Sequence, residues 1–308
     1  MEAVAADVGE AAVVAGVKAM KKIKDRVGMG WRPDLAAGIL SHQDEIDLIE
    51  VIADDYFDAG SRQINALAVL GRQIPLILHG IGMGVATCSA VEQTYFDRMG
   101  RLVEKVKPES WSEHLAFVRA GGFEIGHLAA PPRTLENVEA TAENVYRAAR
   151  TVGTKPHLEN VAMLLNPPGS VLKEAEWTRR ILDASDCALL FDLHNIYANG
   201  MNHGFKPEDF LRIVGSSRIR YLHIAGGKIV CAPDGTQRIL DDHLHDVPDP
   251  VFALLEAVAA SSPHELTVIL ERDGAYPSME VLLDQTRRAR EAMARGRARN
   301  KTRLENAA

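Results

Sequence analysis

Ala188-Leu189-Leu190-Phe191-Asp192-Leu193-His194-Asn195 is an apolar run that stops abruptly in an acid, an imidazole and an amide. Its first five residues read as a buried strand, and the polar residues that follow fall where a helical pattern begins. The same grammar recurs outward in both directions. Eight strands are expected, at Arg26–Met29, Asp47–Ala53, Pro75–His79, Ser110–His114, Lys155–Glu159, Ala188–Asp192, Ile219–His223 and Leu266–Glu271. Helical stretches lie between them, such as Tyr56–Leu70, Ser89–Val106, Thr134–Val152, Lys173–Ala184, Pro207–Val214, Asp249–Ala260 and Ser278–Arg295. Thr134 and Ser278 stand where N-caps belong. Strands alternating with helices make a parallel sheet, and eight of them favour a closed TIM-type (β/α)8 barrel over an open sheet. The Gly80-Ile81-Gly82-Met83-Gly84 run lacks the spacing of a dinucleotide fingerprint and reads as a βα loop.

The 308 residues suffice for one large domain, here 26–295. An Ala-, Val- and Lys-rich stretch at 3–25 is expected to form a helix before it, and 296–308 a polar, basic, frayed tail. A net charge of -7 gives no support to nucleic-acid binding, and no apolar run reaches membrane-spanning length. The N-terminus has no signal-peptide pattern, and three widely spaced cysteines suggest neither disulfides nor a zinc knuckle, so a cytoplasmic setting is expected.

In a TIM barrel the chemistry sits at the C-terminal ends of the strands. Here those ends are His79, Glu113-His114, Glu159-Asn160, Asp192 with His194-Asn195, His223 and Glu271-Arg272-Asp273, and the loop after the seventh strand adds Asp241-Asp242-His243. One apolar strand ending in His or Glu is ordinarily a cap or a salt bridge. Six in succession would leave unpaired charges on a barrel floor, each with a desolvation penalty of roughly several kcal/mol. Metal cations remove that penalty. Imidazole and carboxylate donors without thiolate suit Fe, Mn or Zn, and about nine donors suffice for two or three ions sharing carboxylates.

The ordered set of motifs resembles the DUF692 proteins, the multinuclear non-haem iron-dependent oxidative enzymes that include the methanobactin biosynthesis oxidase. It runs from Val27-Gly28-Met29-Gly30-Trp31-Arg32-Pro33 through His79-Gly80, Ser112-Glu113-His114-Leu115, Leu158-Glu159-Asn160, Asp192-Leu193-His194-Asn195-Ile196-Tyr197, Asn202-His203-Gly204-Phe205, His223-Ile224-Ala225-Gly226 and Asp241-Asp242-His243 to Glu271-Arg272-Asp273. The resemblance implies two or three irons held by His79, His114, Glu159, Asp192, Asn195, His223, Asp241, His243 and Glu271. It also implies dioxygen as co-substrate, a cysteine-containing ribosomally made precursor peptide as substrate, and a small peptide-recognition partner protein. The chain departs from the family at His194, where Asn is common, and at Ile224, where Leu is. Three readings of His194 stand open: a further ligand, a group that orients a ligand, or a surface residue.

Two rival readings share these residues. One is a divalent-metal hydrolase or isomerase similar to endonuclease IV or xylose isomerase; the other is a non-catalytic metal-binding scaffold. Glu113, Asn160, Arg272 and Asp273 are expected either to orient ligands or to make rim salt bridges. His42, His127, His157, His203 and His264 read as structural or surface histidines, with His245 open because it neighbours the ligand loop. Cys88 reads as a small buried hydrophobe.

Overall fold

A computed structural model describes residues 24–231 and 235–305. The strands in chain order are β1 (Arg26–Gly30), β2 (Ile49–Ile52), β3 (Leu76–Gly80), β4 (Trp111–His114), β5 (Phe117–Ala120), β6 (Phe123–Ala129), β7 (His157–Glu159), β8 (Ala188–Asp192), β9 (Ile219–Ile224), β10 (Gly226–Cys231), β11 (Gln237–His245) and β12 (Thr267–Leu270). The α-helices are α1 (Ala36–Ser41), α2 (Ser61–Gln73), α3 (Gln93–Val106), α4 (Leu135–Val152), α5 (Glu174–Ser185), α6 (Leu193–His203), α7 (Pro207–Val214), α8 (Asp249–Ser261) and α9 (Met279–Glu305). Eight strands close a parallel barrel in the order β1-β2-β3-β4-β7-β8-β9-β12, with β12 pairing back to β1. These are the eight expected strands. None of the described helices is long and apolar enough to cross a membrane.

The barrel is filled in two layers, and strand alternation explains both. Leu48, Ile77 and Ile269 form a buried apolar cluster, with Tyr221 packed against it. Gly28 has no room for a side chain there, because a Cβ would collide with the Leu48 carbonyl oxygen and lie 2.8 Å from Leu48 Cδ2. Two residues further along the same strands, on the same inward face, stand Glu50, His79, His223 and Glu271. The apolar layer thus seals the bottom of a polar one.

Two features lay outside the expected pattern. Antiparallel hairpins, β5–β6 and β10–β11, follow β4 and β9 and rise from the C-terminal face of the barrel. Asp241 and His243 therefore stand on a hairpin strand, β11, and not in a loop. The last helix also runs past Arg295, through much of the expected frayed tail, to Glu305. Its arginines explain this: Arg290 bonds Asp47 and the Glu45 carbonyl, and Arg297 bonds Asp25 and the carbonyls of Ala259, Ser262 and His264. That helix straps the seam where the first and last strands meet. The helix expected at 3–25 lies outside the described residues but for its last two positions.

Local signals behave as the sequence suggests. Thr134 caps α4 by accepting from the Asn137 amide at 3.2 Å, and Gly153 ends it in a left-handed conformation at φ 89°. Asp192 caps α6 by accepting from the Asn195 amide at 2.7 Å, so one residue both starts a helix and faces the barrel mouth.

Candidate metal centre

Glu159, at the end of β7, is the hub of the polar layer. Its Oε2 lies 3.3 Å from His79 Nε2 and 3.3 Å from His114 Nε2, and its Oε1 lies 3.2 Å from His223 Nδ1. His223 Nδ1 is also 2.9 Å from Glu271 Oε2, which lies 3.7 Å from His243 Nδ1. On β11, His243 Nε2 approaches Asp241 Oδ1 at 2.9 Å, and His194 Nδ1 approaches the same oxygen at 2.7 Å. Donor atoms of His79, Glu159 and His223 lie within 4.8 Å of one another, as do those of Glu159, Asp192, His223 and Glu271, and those of His194, Asp241 and His243. The strand ends chosen from sequence thus converge on one mouth.

Most of the histidines share a further regularity. One ring nitrogen is tied outward by a partner, and the other faces the cluster. His79 Nδ1 bonds Ser112 Oγ at 2.8 Å, and His114 Nδ1 bonds the Gly80 carbonyl at 3.1 Å. His223 Nε2 bonds Glu50 Oε2 at 3.0 Å, and His243 Nδ1 bonds Asp273 Oδ2 at 3.0 Å. Such outward bonds fix the tautomer and present the remaining lone pair, which is how metal-binding imidazoles are commonly held.

Asn160 does the same for the neighbouring strand end. It donates to the Asp192 carbonyl and accepts from the Asp192 amide, both at 3.0 Å, and its own carbonyl accepts from Asn195 Nδ2 at 3.0 Å. Glu113 accepts from the His114 amide at 2.9 Å. Arg272 instead bonds the carbonyls of Gly274 and Ala275 and the Asp246 carboxylate, so it shapes the rim loop.

Several of the buried side-chain atoms without a hydrogen bond lie at the mouth and would face a cation. They include Glu159 Oε2, Asp192 Oδ2, Asn195 Oδ1 and His243 Nε2. Glu159 Oε2 and His243 Nε2 come close to nitrogen or oxygen neighbours yet in no hydrogen-bonding alignment. An unsatisfied buried polar atom costs about 1–3 kcal/mol, and a cation would satisfy several at once. The donor set therefore fits a metal.

Electrostatics agree. Burial, together with the carboxylates of Glu159, Asp241 and Glu271, pushes the Asp192 carboxyl well above the usual range. Burial and the neighbouring His114 and His223 push the His79 imidazole well below its own. For His114 burial is opposed and outweighed by Glu159 and Glu113, which raise it to about 9. Without a cation, these groups hold protons awkwardly against one another.

Sequence reasoning missed Glu50 and Ser112. Glu50 sits mid-strand in Ile49-Glu50-Val51-Ile52 and is only 1% exposed, a buried acid in an apolar run. Its signal was its spacing, two residues beyond inward-facing Leu48. Cys88, expected to be buried, is exposed, since the loop carrying it runs over the surface. His42 bonds the Gly38 carbonyl, His203 bonds the Met163 carbonyl, and exposed His245 bonds Asp242, so all three serve local structure.

Residues 26–294 match the family model described as RiPP precursor modification enzyme MbnB/TglH/ChrH. A UPF0276 protein of Caulobacter vibrioides is 30% identical over 274 residues, covering 89% of this chain and 96% of the relative. Another, from Rhizorhabdus wittichii, is 32% identical over 252 residues, covering 80% and 86%. Among solved structures, an L-ribulose 3-epimerase superposes with a TM-score of 0.57 at 14% identity, covering 92% of this chain and 98% of that one. Endonuclease IV from Thermus thermophilus gives 0.56 at 14% identity, with 86% and 99% covered. At that identity these two show the barrel fold alone. The match over nearly the whole barrel decides the family: the chain belongs to the MbnB/TglH/ChrH group of enzymes that modify ribosomally made peptide precursors.

Proposed function

We propose that this chain is an iron-dependent, dioxygen-using oxidative enzyme that modifies cysteine in a ribosomally made precursor peptide. In this reading two or three irons are held by His79, His114, Glu159, Asp192, Asn195, His223, Asp241, His243 and Glu271. The observation that carries it is the buried set of unpaired donor atoms, Glu159 Oε2, Asp192 Oδ2, Asn195 Oδ1 and His243 Nε2, gathered at one barrel mouth. Imidazole and carboxylate donors suit iron, and bound iron would supply the redox chemistry that the side chains lack.

The chain's own residues would do the rest. Ser112, Gly80, Glu50 and Asp273 hold the imidazoles in the tautomers that leave a lone pair facing inward. The Leu48, Ile77 and Ile269 layer excludes water from below and keeps the dielectric low. Among the described cysteines, Cys88 and Cys231 are exposed and Cys187 is buried just past the end of α5, so sulfur would reach the mouth from the substrate. The hairpins at the rim expose Phe123, Ile125, Ile229 and Leu244, which would grip an extended peptide or the small protein that delivers it.

The test is aerobic incubation of the iron-loaded enzyme with a cysteine-containing precursor peptide, read by mass spectrometry. A mass change that vanishes without oxygen is expected, and equal turnover without oxygen would remove dioxygen from the reaction. Full iron retention in a His79→Ala, His114→Ala, Glu159→Ala triple variant would overturn the ligand assignment.

A further inference from the structure

We propose that His194 Nδ1 is itself a metal ligand, completing with Asp241 and His243 an outer cation site of two imidazoles and one carboxylate. The inference rests on the metal reading above and extends it by one residue. His194 is the second residue of α6, and the cap at Asp192 aims it toward the β10–β11 hairpin. Its side chain is 1% exposed, a depth at which an imidazole needs a reason to be there.

The hairpin is built to receive the ring. Gly227 lies against it: a Cβ there would sit 2.5 Å from His194 Cε1 and 2.8 Å from its Nε2, and would collide with the Leu240 carbonyl oxygen. Glycine is required for His194 to enter, and once in, its Nδ1 faces Asp241. His243, on the same strand as Asp241, adopts a left-handed backbone at φ 52°. Asp273 holds its Nδ1, which leaves Nε2 for the shared space. Asp242, next in sequence, is turned away and bonds His245 and the Leu244 amide, so the carboxylate of this group is Asp241.

Two nitrogens thus crowd one carboxylate oxygen, and one of them, His243 Nε2, has no hydrogen-bond geometry to it. Simple hydrogen bonding explains His194 alone but leaves His243 Nε2 orphaned. A cation among the three satisfies both nitrogens and the carboxylate. Two histidines and one carboxylate with open positions is the donor set that suits non-haem iron.

Cadmium offers a readout independent of turnover. Protein labelled with 15N-histidine and loaded with 113Cd is examined by NMR for scalar coupling, which requires a direct nitrogen–cadmium bond. His194 signals are assigned by their loss in His194→Leu. Coupling at both His194 Nδ1 and His243 Nε2 is expected, and His194→Leu should weaken the outer cadmium by more than about 100-fold, beyond the effect of a merely orienting partner. Coupling at His243 with none at His194 overturns the assignment and leaves the metal reading intact. No coupling at any imidazole overturns both.

Discussion

Glu50 Oε2 lies 3.0 Å from His223 Nε2, on the edge of the ring opposite to that facing Glu159 and Glu271. A buried carboxylate behind an imidazole raises the basicity of its far nitrogen and fixes which nitrogen carries the proton. Burial lowers the His223 imidazole, but Glu271, Glu50 and Glu159 outweigh it and hold the ring well above its usual range. Removing Glu50 should therefore act through His223. Glu50→Gln is expected to weaken metal binding by about 10-fold and Glu50→Leu by about 100-fold, measured by chelator competition. Unchanged affinity in both variants would mean that Glu50 serves packing alone.

Metal should also stabilise the fold, because the unpaired donors are buried in the native state and scattered in the unfolded one. Adding a divalent metal to chelator-stripped protein at a hundred times its Kd should add about 2.7 kcal/mol per bound ion. For a domain of this size that is a rise in Tm of roughly 5 °C per ion. Superimposable melting curves with and without metal would contradict a buried site.

Glu174 gives a pH dependence separate from the mouth. Burial raises its carboxyl to about 7, against the opposing effects of Arg133 and the Asn199 hydrogen bond. The native state then holds a proton that the unfolded chain has already lost, so stability falls as pH rises from about 4.5 to about 7. Relative to Glu174→Gln, the wild-type protein should lose about 2 kcal/mol across that window, partial solvent exposure damping the full effect. Denaturant melts at a series of pH values check this. A wild-type stability that keeps pace with the variant's, or rises relative to it, as pH goes from about 4.5 to about 7 excludes it.

Gly227→Ala tests the seat of His194 from the opposite side. The new methyl meets the Leu240 carbonyl as well as the ring, so the hairpin must shift. A loss of about 1–3 kcal/mol in stability is expected. The outermost metal equivalent should go with it while those near Glu159 stay, as counted by elemental analysis. Full retention of every equivalent would show that the hairpin adjusts without moving His194.

The barrel was legible because each strand is a short apolar run ending in a polar residue, and the interleaved helices leave little freedom in how such runs pair. The hairpins were not read, although Gly121-Gly122 between Ala120 and Phe123 forms a two-residue turn with both φ values positive, a pattern the sequence does display. Their strands lie outside the barrel, so no alternation with helices marks them. At the mouth, the ligand types sit at strand ends and could be picked out one by one. Glu50 escaped because it sits mid-strand, and only its parity with Leu48 marks it as inward-facing. The place of His194 depends on a neighbour without a side chain, Gly227, which no pattern of ligand residues would reveal.

The seam between β1 and β12 joins Arg26 to Thr267 across 241 residues, and α9 fastens it from outside. Glu50 and His79 leave the ribosome early, whereas Glu271 leaves with the strand that closes the ring. A nascent chain therefore carries only part of the chelating cup, open to water along one side. On the metal reading, selective loading would wait until synthesis ends and the last turn of the circle has shut.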